Sequence, residues 1–178
     1  MSWIHEVERE MISYYAGDAK RIQHFIKVFY FAKMIGEGER LEASVQEILE
    51  IAALVHDIGI RVSEEKYHSS AGKYQELEGP PVAKEMLSRI GCPVALTERV
   101  CWLVGHHHTY DSIQEADHQI LVEADFLVNA YEEGMEEPAV RSVLNKIFRT
   151  NTGKYLLRTL YLPGTKPAEN LGRSLNKG

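Results

Sequence analysis

The chain has 178 residues, 44% of them hydrophobic and 26% charged, with a formal net charge of −6. That composition fits one globular domain able to bury a core and excludes wholesale disorder. The acidic balance disfavours nonspecific nucleic-acid binding through a basic face, but leaves a nucleotide substrate open, because a metal can supply positive charge locally.

Cys92 and Cys101 are too few and too loosely spaced for a disulfide framework or a zinc knuckle, and read as ordinary thiols of a reducing cytosol. The start, "MSWIHEVERE", is charged at once and lacks an apolar signal core. No window holds 18 uninterrupted apolar residues, so no membrane span is expected. The expectation is a soluble, cytoplasmic, single-domain protein.

Helical periodicity runs through the chain and no alternating strand pattern competes with it. Ile4, Val7, Met11 and Tyr14 or Tyr15 make one apolar face; Trp3 beside it is a candidate self-association face for a homodimer, with a core role the preferred reading. Asp18 is a good N-cap for a second helix that Gly36 and Gly38 should break. A third helix spans about 42–58. The polar stretch "RVSEEKYHSSAGKYQELEG" reads as a connector or lid with short helical pieces. Pro80 and Pro81 suit the first turn of a helix that Gly91 ends. Further helices are expected at 95–108, 118–132, 136–150 and 152–161, giving an all-α globule over 1–162 and a polar tail over 163–178.

Polar residues interrupt four apolar helix faces. Residues three, four and seven apart share a face, so His24 joins Val28, Phe31 and Ile35, and His56 extends the stripe Val45, Leu49 and Ala52. His107 follows Leu96, Val100 and Leu103, and Asp125 sits between Leu121 and Val128. A lone core histidine is ordinarily a satisfied packing residue, and a lone core aspartate a cap or an ion-pair partner. Burying four such groups without compensation is costly. One divalent cation would let them all keep neutral imidazoles and ionised carboxylates. Neighbours on a regular helix diverge by about 100°, so His56 and Asp57 need the looser geometry of a helix end, which Gly59 in "HDIG" would supply by taking unusual backbone angles. Without thiolates, an open catalytic site for manganese, iron, cobalt, zinc or magnesium fits better than a structural zinc site.

His24, then His56-Asp57, then Asp125, in this order on apolar helices, resembles the HD superfamily of metal-dependent phosphohydrolases. The resemblance runs from about Lys20 to Asn129, or about 20–130, and takes in "AALVHDIG", "GPPVAKEMLSRIG", "VCWLVGHHH" and "LVEADFLVN". It implies an all-α fold, a divalent metal held by His24, His56, Asp57 and Asp125, and hydrolysis of a phosphate ester or anhydride. Members with two or three metals add a histidine before the "GPPVA" helix, where this chain has Gln75 or Glu76, and further histidines matching His106 and His107. A mononuclear site is therefore the first choice, with His106 and His107 the candidates for a second ion. The Gly-Tyr-Pro signature of the cyclic-dinucleotide branch is replaced by "HHHTYDSI", so that substrate is not assigned.

On this resemblance Asp57, His106 and His107 are the candidate catalytic residues, with His108 read as a solvated helix end. Arg21, one turn before His24, and Arg61 and Lys73 of the lid segment are the candidates for neutralising substrate phosphate. Tyr67 and Tyr74 have the chemistry to stack on a base or simply to pack. The leading expectation is a phosphohydrolase acting on a small phosphorylated metabolite, above all a nucleotide, with no nucleic-acid or membrane partner. The alternatives are a catalytically idle nucleotide-binding domain and a two-iron oxygenase.

Overall fold

The computed structural model describes residues 3–164. Among them there is no strand, and the chain runs through α1 (Ile4–Tyr14), α2 (Ala19–Gly38), α3 (Ala43–Val55), α4 (Ile60–Tyr67), α5 (Gly72–Ile90), α6 (Val94–Val104), α7 (Ala116–Glu132), α8 (Glu137–Lys146) and α9 (Asn151–Tyr161). No described helix is long and apolar enough to cross a membrane.

α2 lies between α3 and α7, α3 also meets α6 and α7, and α5 packs on α6. Their shared core holds Phe25, Val28, Leu49, Leu54, Leu103, Leu121 and Leu127, all buried. Each such side chain contributes about 1.5–3 kcal/mol on leaving water. Val7, Met11 and Tyr15 carry the α1 face into the same core. Trp3 is half-buried against it, with its backbone N–H donating to Glu47, rather than standing out as a self-association face.

Several elements differ from their sequence-based expectation. Asp18 does cap α2, accepting from the Arg21 N–H at 3.1 Å, but the helix runs through Gly36 to Gly38. A Cβ on Gly36 would collide with the Gln46 side chain, so this glycine serves close approach of α3 rather than helix termination. The polar connector is mostly helix: α4 occupies its start and α5 begins at Gly72, eight residues before Pro80. Pro80 and Pro81 therefore lie inside α5, not in its first turn. Proline in a helix interior costs on the order of 3 kcal/mol. Tertiary contact offsets this, because Gly79 meets Gly59 and Val104, and Pro80 packs on Gly105. The helix expected to 108 stops at Val104, and α8 stops at Lys146. Of the polar tail, only 163 and 164 belong to the described residues.

Candidate metal centre

The apolar helix α3 unwinds where His56 and Asp57 begin. The Ile58 N–H donates to the Val55 carbonyl and the Ile60 N–H to the Asp57 carbonyl, both at 3.0 Å, so the chain tightens into three-residue turns. The buried Tyr15 hydroxyl lies 3.3 Å from the carbonyls of both Asp57 and Ile58, giving these polar groups a partner inside the core. This unwinding is what lets adjacent side chains face one point. Gly59 is not there for unusual backbone angles, since its φ of −75° and ψ of −10° are ordinary. Its role is space: a Cβ would sit 2.6 Å from the Gly79 nitrogen and 2.9 Å from the Gln75 carbonyl oxygen, both rigid backbone.

Four helical segments bring His24, His56, Asp57, His107 and Asp125 together. His24 Nε2 lies 3.2 Å from His56 Nε2, 3.3 Å from Asp125 Oδ1 and 3.6 Å from Asp57 Oδ2. His56 Nε2 is 3.6 Å from both Asp57 Oδ2 and Asp125 Oδ1. On the other side of the same carboxylate, His107 Nε2 is 3.1 Å from Asp57 Oδ1. The Asn129 amide donates to Asp125 Oδ1 at 2.9 Å, one turn along α7.

The far side of each ring fixes its orientation. His56 Nδ1 donates to the Ala53 carbonyl at 2.9 Å and His107 Nδ1 to the Val104 carbonyl at 2.8 Å. His24 Nδ1 donates to Glu132 Oε2 at 2.9 Å. In the neutral imidazoles, with protons committed to these acceptors, the Nε2 atoms turn their lone pairs toward one another and toward two carboxylates. Such an arrangement demands positive charge in its midst. Donor atoms around one ion at bond lengths of about 2.1 Å stand roughly 3.0–3.4 Å apart. His24, His56 and Asp57, whose ligand atoms all lie within 4.8 Å of one another, come close to that spacing, and Asp125 Oδ1 joins them through His24 at 3.3 Å and His56 at 3.6 Å.

The electrostatics agree. Burial works to raise the Asp57 carboxyl, but the His56 and His107 imidazoles outweigh it and hold the group down to about 2. Burial likewise opposes ionisation of Asp125, and His24 and His56 keep it well below the usual carboxylate range. Burial would lower His24, yet Asp125, Asp57 and Glu132 raise it to about 9. His107 follows the same pattern, raised by Asp57 and Asp125 against burial. The cluster is thus built for anionic carboxylates and an added cation.

Beside the cluster opens a cavity of about 390 Å³, lined by Lys20, Arg21, Ser70, Gln75, His108, Asn129, Glu132 and Glu133 as well as by His24, Asp57 and Asp125. Arg21 is where the sequence suggested, though it also pairs with Asp18 at 3.2 Å and Glu64 at 2.6 Å. Arg61 does not line this cavity: its guanidinium lies over the rings of Tyr14 and Tyr15, 4.9 and 5.2 Å from their centroids. Lys73 is also elsewhere, over Tyr74, which itself stacks on Tyr67. His106 turns away, stacked on Trp102 with Nδ1 donating to the Trp102 carbonyl. His108, read from sequence as a solvated end, instead lines the cavity and lies 3.2 Å from Gln75 Oε1. The second group of potential ligands is accordingly Asp57, His107 and His108 rather than His106 and His107. Burial and the neighbouring His107 push His108 down to about 4.

Sequence reading passed over Lys20, adjacent to Arg21, and Glu132, seven residues beyond Asp125. The second had a legible signal, because a spacing of seven returns to the same helix face.

The fold and the cluster together define a class: an all-α domain whose histidines and aspartates have the chemistry to hold a metal ion. The chain belongs to the HD domain family, whose model matches residues 21–146. The crystal structure of a predicted HD superfamily hydrolase from an uncultured Thermotogales bacterium has a similar fold, with a TM-score of 0.59 and 24% sequence identity over 88% of this chain and 82% of that one. No curated protein matches the chain.

Proposed function

We propose that this chain is a metal-dependent phosphohydrolase that cleaves a phosphate ester or anhydride of a small phosphorylated metabolite, with a nucleotide as the preferred substrate class. The observation that carries the reading is the convergence of imidazole Nε2 atoms on two carboxylates, next to an open, polar cavity. His24, His56, Asp57 and Asp125 would hold the ion. When bound, a divalent ion supplies a Lewis acid for a phosphoryl oxygen and acidifies a water.

The chain's own residues do the rest. Lys20 and Arg21, on the first turn of α2, line the cavity and offer positive charge to a bound phosphate. Arg21 is braced by Asp18 and Glu64, so its guanidinium is held in one position before substrate arrives. Asp57 keeps its carboxylate ionised and accepts hydrogen bonds, which suits orienting a nucleophilic water. Ser70, Gln75 and Asn129 offer hydrogen bonds to sugar hydroxyls or base edges along the wall. The reading places the enzyme in a reducing cytoplasm, which suits the free thiols Cys92 and Cys101, and gives it no nucleic-acid or membrane partner.

A binuclear version is favoured by one observation. Asp57 turns Oδ2 toward His24 and His56 and Oδ1 toward His107, so it belongs to two groups of candidate ligands, His24–His56–Asp57 and Asp57–His107–His108, that could each hold an ion. Metal stoichiometry decides between one ion and two, and a two-iron centre would bring the oxygenase alternative back into consideration.

The test is phosphate and pyrophosphate release from a nucleotide panel by metal-stripped protein resupplied with manganese, cobalt, magnesium or zinc. Metal-dependent turnover that vanishes in Asp57→Ala supports the hydrolase. Folded protein that releases neither product with any metal overturns it in favour of the idle binder or the oxygenase.

A further inference from the structure

The imidazoles around Asp57 are not oriented alike. His56 and His107 each donate Nδ1–H to a carbonyl three residues back on their own chain, so local backbone fixes these rings. His24 does not. Its Nδ1 partner is a side chain from another element, Glu132 in the last turn of α7, at 2.9 Å. The other oxygen of that carboxylate accepts from Lys27 Nζ at 2.6 Å.

Lys27 lies one helical turn beyond His24 on α2, so Glu132 spans two α2 residues with a single carboxylate. The Lys27 ammonium, 2.6 Å from one oxygen, gives this carboxylate a cationic partner while its other oxygen meets the ring.

A carbonyl and a carboxylate are different partners for an imidazole. Both keep the proton on Nδ1, but the anion also makes the ring a stronger donor through Nε2. His24 Nε2 is the atom closest to His56 Nε2 and to Asp125 Oδ1 in the cluster. A turned or tautomerised His24 would withdraw the one ligand that α2 contributes.

We infer that Glu132, braced by Lys27, is the positioning residue of the metal centre: it sets the tautomer and orientation of His24 and so tunes the ion's affinity. Glu132 does not touch the ion; it acts through His24. The inference rests on the metal-centre reading above. Its competitor is a plain tie between α2 and α7, in which Glu132 matters for stability and not for the ion.

The experiment titrates Mn²⁺ and Zn²⁺ into stripped wild type, Glu132→Ala and Glu132→Gln by calorimetry, with circular dichroism to confirm folding. It also follows the His24 Nδ1–H resonance in the zinc-loaded proteins by NMR. Loss of a partner that orients a ligand histidine typically costs 10- to 100-fold in metal affinity. We expect a loss of about that size in Glu132→Ala, partial recovery in the isosteric Glu132→Gln, whose amide oxygen can still accept, and disappearance of the protected Nδ1–H signal in Glu132→Ala alone. Folded Glu132→Ala that binds both ions as tightly as wild type, with the signal retained, overturns the inference and leaves the metal centre standing. Wild type that binds neither ion overturns both.

Discussion

Asp57 and His107 stand fifty residues apart in sequence, yet Asp57 Oδ1 lies 3.1 Å from His107 Nε2. The α3 terminus and the turn after α6 therefore share one carboxylate, whose second oxygen faces His24 and His56. Removing it should disable both sides at once. Asp57→Ala is expected to abolish phosphate release and to weaken metal binding, whereas Asp57→Asn, which keeps the shape but not the charge, should retain the fold and still lose turnover by about 100-fold or more. Wild type and Asp57→Asn, each stripped and then resupplied with the same metal, compared by phosphate assay would decide this, and near-wild-type turnover in the asparagine variant would refute it.

The adjacent histidines should behave oppositely. His107→Ala removes a buried ring from the cluster and is expected to reduce turnover and, if a second ion binds, to lower the metal-to-protein ratio. His106→Ala removes a ring stacked on Trp102, outside the cavity, and should leave kcat within about twofold of wild type. Metal analysis and steady-state kinetics on both variants separate them; equal losses would place His106 in the chemistry after all.

The pH dependence follows from the raised histidines. Metal-free His24, raised from 6.5 to about 9, contributes stability that is full below pH 6.5 and is lost as pH rises through about 9. Asp57, lowered from 3.8 to about 2, contributes stability present above pH 3.8 and lost as pH falls through about 2. Ligation needs the neutral imidazole, so a metal competes with the His24 and His107 protons. Affinity should rise with pH up to about 9, with proton release on binding, and level off above it. Calorimetric titration in buffers of different ionisation enthalpy measures it, and a flat profile would contradict the protonated cluster.

Gly59→Ala tests the packing that supports the site. The new Cβ would meet the Gly79 nitrogen at 2.6 Å and the Gly79 Cα at 2.8 Å, and backbone cannot step aside. Overpacking of this kind costs about 1–3 kcal/mol. Urea unfolding should show a loss of that order, accompanied by weaker metal binding as Asp57 shifts. An unchanged midpoint would mean that α5 does not press on the turn.

Arg21 and Arg61 separate substrate contact from packing. Arg21→Ala is expected to raise KM for a phosphorylated substrate several-fold, because the cavity lining loses a braced guanidinium. Arg61→Ala should leave KM unchanged and lower stability by about 0.5–1 kcal/mol, since its guanidinium rests on Tyr14 and Tyr15. Kinetics paired with thermal melts on each variant distinguish them, and a KM effect from Arg61→Ala would reverse the assignment.

Much of this protein was legible in sequence because helical periodicity and burial are local properties. Each of His24, His56, His107 and Asp125 interrupts an apolar stripe, and a polar group at a core position needs a partner wherever its helix ends up. Boundaries were legible where a residue acts on its own backbone, as Asp18 does in capping Arg21 and as Gly91, at φ +90°, does in ending α5. They failed where a distant surface decides. Pro80 and Pro81 sit inside α5 because Gly79 is pressed between Gly59 and Val104, and Gly36 stays helical because α3 approaches there.

The same division holds at the site. By itself the sequence determined the all-α class and which histidines and aspartates would have to be compensated, since both follow from the spacing of apolar residues along single helices. Only the tertiary structure decided that His108 rather than His106 faces the cavity, that Arg61 is spent on tyrosines, and that Glu132 holds His24. Those outcomes depend on the direction of side chains across helix–helix contacts between residues as far apart as 24 and 132, a separation of 108 positions, which no local periodicity encodes.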